Sequence, residues 1–236
     1  MNPVLADMQR QIDTWDASQD RRGLFLRCYR MMTVNTLAAI QAEEFRDSSW
    51  VARLLHRFAE YYFEALNAYV RDAAAAPVVW RLAHDRAPEE NIWAVQHLLL
   101  GVNAHINYDL VLTLVELLQE EWDQIGPVKR QQRHEDYCAV NRIIARTIDE
   151  VQDEILAPDM PVIGLLDTLL GRVDEFLISR FITRWRDEVW RNALAMIEYA
   201  SDGDVETRRK RLEADVCTKA EAIACRNWRS VLRHQS

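Results

Sequence analysis

Six glycines and six prolines in 236 residues fall far below the roughly 12% of an average globular chain. So few chain-breakers exclude a Gly/Pro-rich disordered segment and argue against an all-β protein with many turns. Lysine is scarcer still: the basic set is 26 Arg with only Lys129, Lys210 and Lys219, a bias that reads as coding preference. The 29 basic residues are outnumbered by 37 acidic ones, for a net charge of -8. A chain of that sign repels a phosphate backbone, so nucleic acid is not an expected partner. Four cysteines without CxxC spacing exclude a zinc ribbon and a thioredoxin-like motif. Gly-rich phosphate loops, GxSxG elbows, HExxH and the ExxH pairs of helical di-iron proteins are all missing.

What is present is helical periodicity almost throughout, with almost no strand alternation. It predicts an all-α fold, a single compact bundle of seven to eight helices forming one domain over 1–236. Helices are expected over about 4–15, 24–44 and 49–72, then a loop with a short helix around Trp80. A long helix over about 90–122 follows, stopped by Gly126-Pro127. Others run over about 134–156, 163–173 and 174–199. After the Ser201-Asp202-Gly203-Asp204 turn, a last amphipathic helix within 204–236 would cap the bundle or pair with a second copy of the chain. Its arginine-rich face reads as solvated surface.

Polar residues near the N-terminus break any signal-peptide core. The stretch 92–118 has no Lys or Arg, but Asp109 and Glu116 within it make a membrane span costly, at roughly 2.5–3.5 kcal/mol for an Asp at the bilayer centre. It reads instead as the buried central helix of a cytoplasmic protein with reduced thiols and no transmembrane segment.

Polar groups inside that apolar helix demand explanation, because each buried without a partner costs roughly 1–3 kcal/mol. Gly101, His105, Asp109 and Glu116 fall on one stripe at 100° per residue. His105 and Asp109, four apart, can meet. An Asp on one ring nitrogen fixes the tautomer and raises the basicity of the other, which suits a general base. The same HxxxD spacing suits a metal, and it also occurs in helical zinc phospholipases. Gly101 would allow a neighbouring helix or a ligand to approach. Asn103 and Asn107 face another side, where they could tie the helix to its neighbours.

The next helix carries Asn141 on its apolar arc, turned toward the interior and expected to reach the His105 stripe, with His134 near its start. Glu135 and Asp136 suit a first turn, where acidic groups meet the positive end of the helix dipole. The DExxDE run of Asp149, Glu150, Asp153 and Glu154 superficially resembles the magnesium motif of class I terpene synthases. Interleaved arginines and the lack of a second such motif favour salt-bridged surface. Arg186 and Asp187 read as a surface pair, with Arg186 reaching an acidic ligand as the other option.

In several ordered blocks the chain resembles a bacterial all-helical family of unknown function. The blocks are GLFLRCYRMMTVNTL with Phe25 and Tyr29, EEFRD with Asp47, HRFAEYYFEAL with Phe58 and Tyr62, and Trp80. GVNAHINYDL from Gly101 to Leu110, preceded by Gln96, is the most specific; DYCAVN and WRDEVW follow. The resemblance implies an all-helical domain and supplies no catalytic roles.

Three functional expectations follow. The first is an enzyme with an apolar pocket acting on a small hydrophobic molecule as a lyase, cyclase or hydrolase. His105 and Asp109 would be catalytic, with Asn103, Asn107, Asn141, Gln96, Tyr108 and Arg186 as binding residues. The second is a metal-dependent hydrolase in which His105, Asp109 and either His97 or His134 hold a divalent ion. The third is a non-catalytic protein that binds a small ligand or partner and uses the same cluster as a structural network.

Overall fold

The structure is a computed structural model of the chain, described for residues 2–89, 92–151, 173–198 and 205–225. It is all-α, and no strand occurs among the described residues. Helix α1 (Pro3–Ala17) starts on an Asn2 cap whose side chain accepts from the Val4 N–H at 3.0 Å, with proline in its first turn. Helix α2 spans Arg22–Gln41. Helix α3 (Ser48–Arg71) is capped by Asp47, which accepts from Trp50 N at 3.0 Å. A 3-10 turn at Ala73–Ala75 leads to the short α4 (Val78–Asp85), which carries Trp80.

The central rod follows. It comprises α5 (Ala94–Ala104), a π-helical turn at His105–Asp109, and α6 (Leu110–Gln119). Val95–Gln119 is the one described helix long and apolar enough to cross a membrane, and 72% of its apolar window is buried against the rest of the chain. Burial on that scale marks a core helix. Around the rod pack α2, α3, α4, α8 (Val173–Glu198) and α9 (Val205–Ala224), while α7 (Pro127–Val151) lies on α2 and α8. One apolar core runs from Met8 of α1 to Val216 of α9 and includes Trp50, Tyr62, Trp80 and Tyr137.

Two elements depart from expectation. The central helix is interrupted by the π turn, in which Leu110 N–H reaches back five residues to the His105 carbonyl. Helix α7 begins at Pro127 rather than near His134. Gly126-Pro127 does separate the helices, but proline lacks only an N–H that a first turn leaves unpaired, so it opens the next helix. Asp136 therefore lies mid-helix, outside any first turn, and its carboxylate accepts from Arg46 N at 2.7 Å and Asp47 N at 2.9 Å.

Helix α9 buries Leu212, Val216, Ala220 and Ile223, packing against α4 and α5. The helix expected over 163–173, the turn from Ser201 to Asp204, residues 226–233 of the last helix and the Asp153-Glu154 half of the acidic run lie outside the described residues. The side chains of Asp149 and Glu150 do too.

Candidate active site

The π turn places His105 and Asp109 on the inner face of the rod, 3% and 1% exposed. A π turn inserts one residue into the helical repeat and is frequently found at functional positions. His105 Nδ1 lies 3.0 Å from Asp109 Oδ2. From α4, the Trp80 indole N–H donates to both oxygens of Asp109, at 3.1 and 2.9 Å. The Asp109 main-chain carbonyl takes the Thr113 hydroxyl at 2.7 Å. Asp109 is thus held on three sides. The other imidazole nitrogen, Nε2 of His105, is buried and has no hydrogen-bond partner.

Aromatic rings from three helices enclose that imidazole. Phe58 of α3 stacks on it at 3.6 Å and 7°. Tyr29 of α2 meets it edge-on at 4.2 Å. Phe25 and Tyr62 complete the box at 5.7 and 5.9 Å, and Trp80 stands at 6.2 Å. The Tyr62 hydroxyl is also buried without a partner, as is that of Tyr29 by normal hydrogen-bond geometry.

Burial governs the charge state. It holds the His105 imidazole well below its usual range, and so neutral. It pushes the Asp109 carboxyl well up, against the opposing pull of the Trp80 N–H and with a smaller push from Glu64. Two separated charges are therefore disfavoured in the box. A neutral imidazole with Nδ1 fixed and Nε2 bare can take a proton at Nε2 and afterwards return it.

Gly101, one turn before His105, serves close approach. A Cβ there would stand 2.6 Å from Phe25 Cγ, so the missing side chain is what lets the Phe25 ring lie against the rod. The neighbour is an aromatic ring of α2, not a ligand. Beyond Phe25, Tyr62 and Trp80 lies a small cavity of about 20 Å³, lined also by Arg21, Arg22, His84, His97 and Gly101.

The other polar residues singled out from sequence bond elsewhere within the chain. Asn107 donates to the Asn103 side chain at 2.9 Å, and Asn103 donates to the Val216 carbonyl of α9 at 3.0 Å. Gln96 accepts from Trp93 N at 3.0 Å and donates to the Ile223 carbonyl at 2.7 Å. The Tyr108 hydroxyl accepts from Arg209 at 3.1 Å. Glu116, on the expected stripe, is exposed and bonds Arg57 and Tyr61, both at 2.9 Å.

Arg186 is not a surface residue. It is 4% exposed, bonding Asn141 Oδ1 at 2.6 Å and the Tyr137 carbonyl at 2.7 Å, while the Tyr137 hydroxyl returns a bond to the Arg186 carbonyl at 2.7 Å. Asn141 is accordingly turned to Arg186 and not to His105. The surface pairing failed as a reading because an arginine in an amphipathic pattern looks solvated unless its buried acceptors are known.

His134 lies against Trp190, with its Nε2 3.5 Å from Cys138 Sγ, and His97 lines the small cavity. Among the described residues, no three His, Cys, Asp or Glu side chains gather where they could hold a metal ion. The set of His105, Asp109 and a third histidine is therefore not assembled.

Sequence reasoning gave no site role to Phe25, Tyr29, Phe58, Tyr62 or Trp80, although each lay in a block of the family resemblance. It passed over Arg21, Arg22 and His84 entirely. The signal within reach was the run of aromatic residues on the inner face of α3.

No curated protein and no solved structure matches the chain significantly. A family of unknown function (DUF5995) matches residues 1–225. With nearly the whole length covered, the chain belongs to that family.

Proposed function

We propose that the protein is an enzyme that moves a proton on a small, largely apolar molecule, with His105 Nε2 as the acid–base atom. Asp109 orients the ring through Nδ1, and Trp80 positions Asp109. The observation that carries this reading is the contrast between the two ring nitrogens: one held at 3.0 Å by Asp109, the other buried and bare. A purely structural histidine has little reason to leave a nitrogen unsatisfied, because that costs roughly 1–3 kcal/mol. The Tyr62 hydroxyl, also unpartnered, is a second polar group for a substrate in the box. Lyase, cyclase and hydrolase chemistry all fit a single neutral base among aromatic rings. The box is closed, so a substrate enters only when its aromatic wall parts.

Nitrogen-15 spectroscopy of histidine-labelled protein tests this. The expected result at neutral pH is a protonated Nδ1 and a lone-pair Nε2 on His105, with the tautomer ratio altered in Asp109→Asn. A protonated Nε2 in the wild type, unchanged in Asp109→Asn, would remove the base. In a substrate screen, His105→Gln and Asp109→Asn should fold yet lose turnover.

The second reading, a non-catalytic ligand-binding protein, is favoured by one observation. Asn103, Asn107 and Gln96, expected as substrate anchors, spend their polar groups on bonds within the chain. Saturable binding of screened compounds without turnover would favour it.

A further inference from the structure

The small cavity differs in character from the box it adjoins. It is lined by Gly101 and the ring of Phe25, by Arg21 and Arg22 from the start of α2, by His84 from α4 and by His97 from α5. His84 and His97 are 6% and 8% exposed, and the Nε2 of each is buried with no hydrogen-bond partner. Arg21 donates from Nη1 to the Glu89 carbonyl at 2.9 Å. Arg22 holds Asp20 through Nε, at 3.0 and 2.9 Å from the two carboxylate oxygens, and through Nη2. Each guanidinium carries five N–H donors, so both keep donors beyond these bonds. The only carboxylate in these contacts, that of Asp20, is already engaged. In a chain of net charge -8, two arginines and the unsatisfied imidazole nitrogen of His84 around one cavity form a local seat for negative charge.

We infer that this cavity takes the carboxylate of a small aromatic or alicyclic acid, whose apolar body lies against Phe25, Tyr62 and Trp80. Guanidinium groups supply charge and paired donors. His84 supplies a neutral donor: burial, aided by Arg22, drives it down to about 3, so it stays uncharged at neutral pH. The volume, about 20 Å³, is that of about one water, so a carboxylate oxygen would enter in place of that water while the rest of the ligand stays outside. The three aromatic walls also pack on His105, so an acid held by its carboxylate directs its body to the box. That direction rests on the proposed role of His105; the anion seat does not.

Benzoate is the probe, with benzyl alcohol as the body without charge and inorganic phosphate as charge without body, all at fixed ionic strength and pH 7. The readout is the histidine side-chain NMR signals. Benzoate should move His84 and His97 saturably at concentrations that fill a millimolar site, and benzyl alcohol should not. Arg21→Gln combined with Arg22→Gln should weaken benzoate roughly tenfold or more, as expected for a lost charge-assisted bond, while the double Lys variant retains more of it. Should the double Gln variant fail to fold, Arg21→Gln alone, at an exposed position, must still weaken binding.

Absent benzoate shifts, equal shifts with benzyl alcohol, tighter binding of phosphate, or unchanged affinity in the Gln variants would each overturn the assignment. His105→Gln should keep the benzoate shifts. Their loss with the fold intact would place the anion at His105 and not in the cavity. A failed His105 tautomer experiment would leave the anion result standing.

Discussion

Two buried polar clusters in this molecule are built on opposite terms. At the junction of α3 and α7, Arg133 is 3% exposed and bonds through all three guanidinium nitrogens: Glu121 takes it at 2.7 and 2.9 Å, and Asp47 at 2.6 Å. Asp47 in turn caps α3, and Asp136 accepts the N–H groups of Arg46 and Asp47. In the aromatic box, by contrast, His105 Nε2 and the Tyr62 hydroxyl bond to nothing. The first cluster spends its polar atoms on holding the chain in place. The second keeps them in reserve, at a cost the rest of the fold must offset.

Breaking the satisfied cluster should have the largest effect. Arg133→Met leaves Asp47 and Glu121 without their shared cation and should destabilise by about 3 kcal/mol or more. Urea denaturation with an unchanged slope checks this, and a loss under about 1 kcal/mol would mean the ion pairs are merely solvated.

Next is the packing that closes the box. Gly101→Ala puts a methyl group 2.6 Å from Phe25 Cγ and should cost roughly 1–3 kcal/mol. Adding Phe25→Leu should recover part of it. No recovery in the double variant would show that the clash lies elsewhere.

The pH dependence sharpens the contrast further. In the folded chain His84 is held down to about 3 against an ordinary 6.5, so between those values the unfolded chain binds a proton that the folded one refuses. Its stabilising contribution is whole above about 6.5 and is lost as pH falls toward 3. His105 acts in the same direction. Asp47, lowered below 3.8 by its Arg133, Ser49, Trp50 and Lys129 partners against the effect of burial, adds a further loss below that pH. Asp109, raised by burial, opposes this, since its folded form holds a proton the unfolded chain gives up. His84→Phe keeps a ring over Trp80 and should flatten the fall of melting temperature between pH 6.5 and 3. An unchanged slope would dismiss His84 as a source.

The smallest effect is the most discriminating. Tyr62→Phe deletes a buried hydroxyl without a partner and should leave stability within about 0.5 kcal/mol of wild type, or raise it. A loss above about 1 kcal/mol would mean the hydroxyl is bonded after all and the reserve is smaller than described.

Much of the architecture was legible because apolar residues recur every three or four positions, and helices report themselves that way. The core position of the rod and the meeting of His105 with Asp109 followed from the same spacing. The π turn did not, because HINYD has no composition that separates it from α-helix. Pro127 reads equally well as a stop and as a start. Asn103 could be marked as needing a partner, but its acceptor is the main-chain carbonyl of Val216, 113 positions away, and carbonyls carry no sequence signature. Arg186 was misplaced for the related reason that its acceptors, Asn141 and a Tyr137 carbonyl, come from another helix.

That same attachment has a consequence for how the last helix can change. Asn103 and Gln96 grasp α9 through carbonyl oxygens of Val216 and Ile223, atoms that every residue type supplies. The grip is blind to spelling. Substitutions along α9 that preserve its apolar stripe leave the clasp intact, so its outward face is free to drift while its anchorage is inherited unchanged. The amides of the central rod, which have no such substitutes, carry the constancy of those two bonds, whereas the bonds of Arg209 to Tyr108 and of Glu213 to the Val78 N–H do depend on the residues of α9.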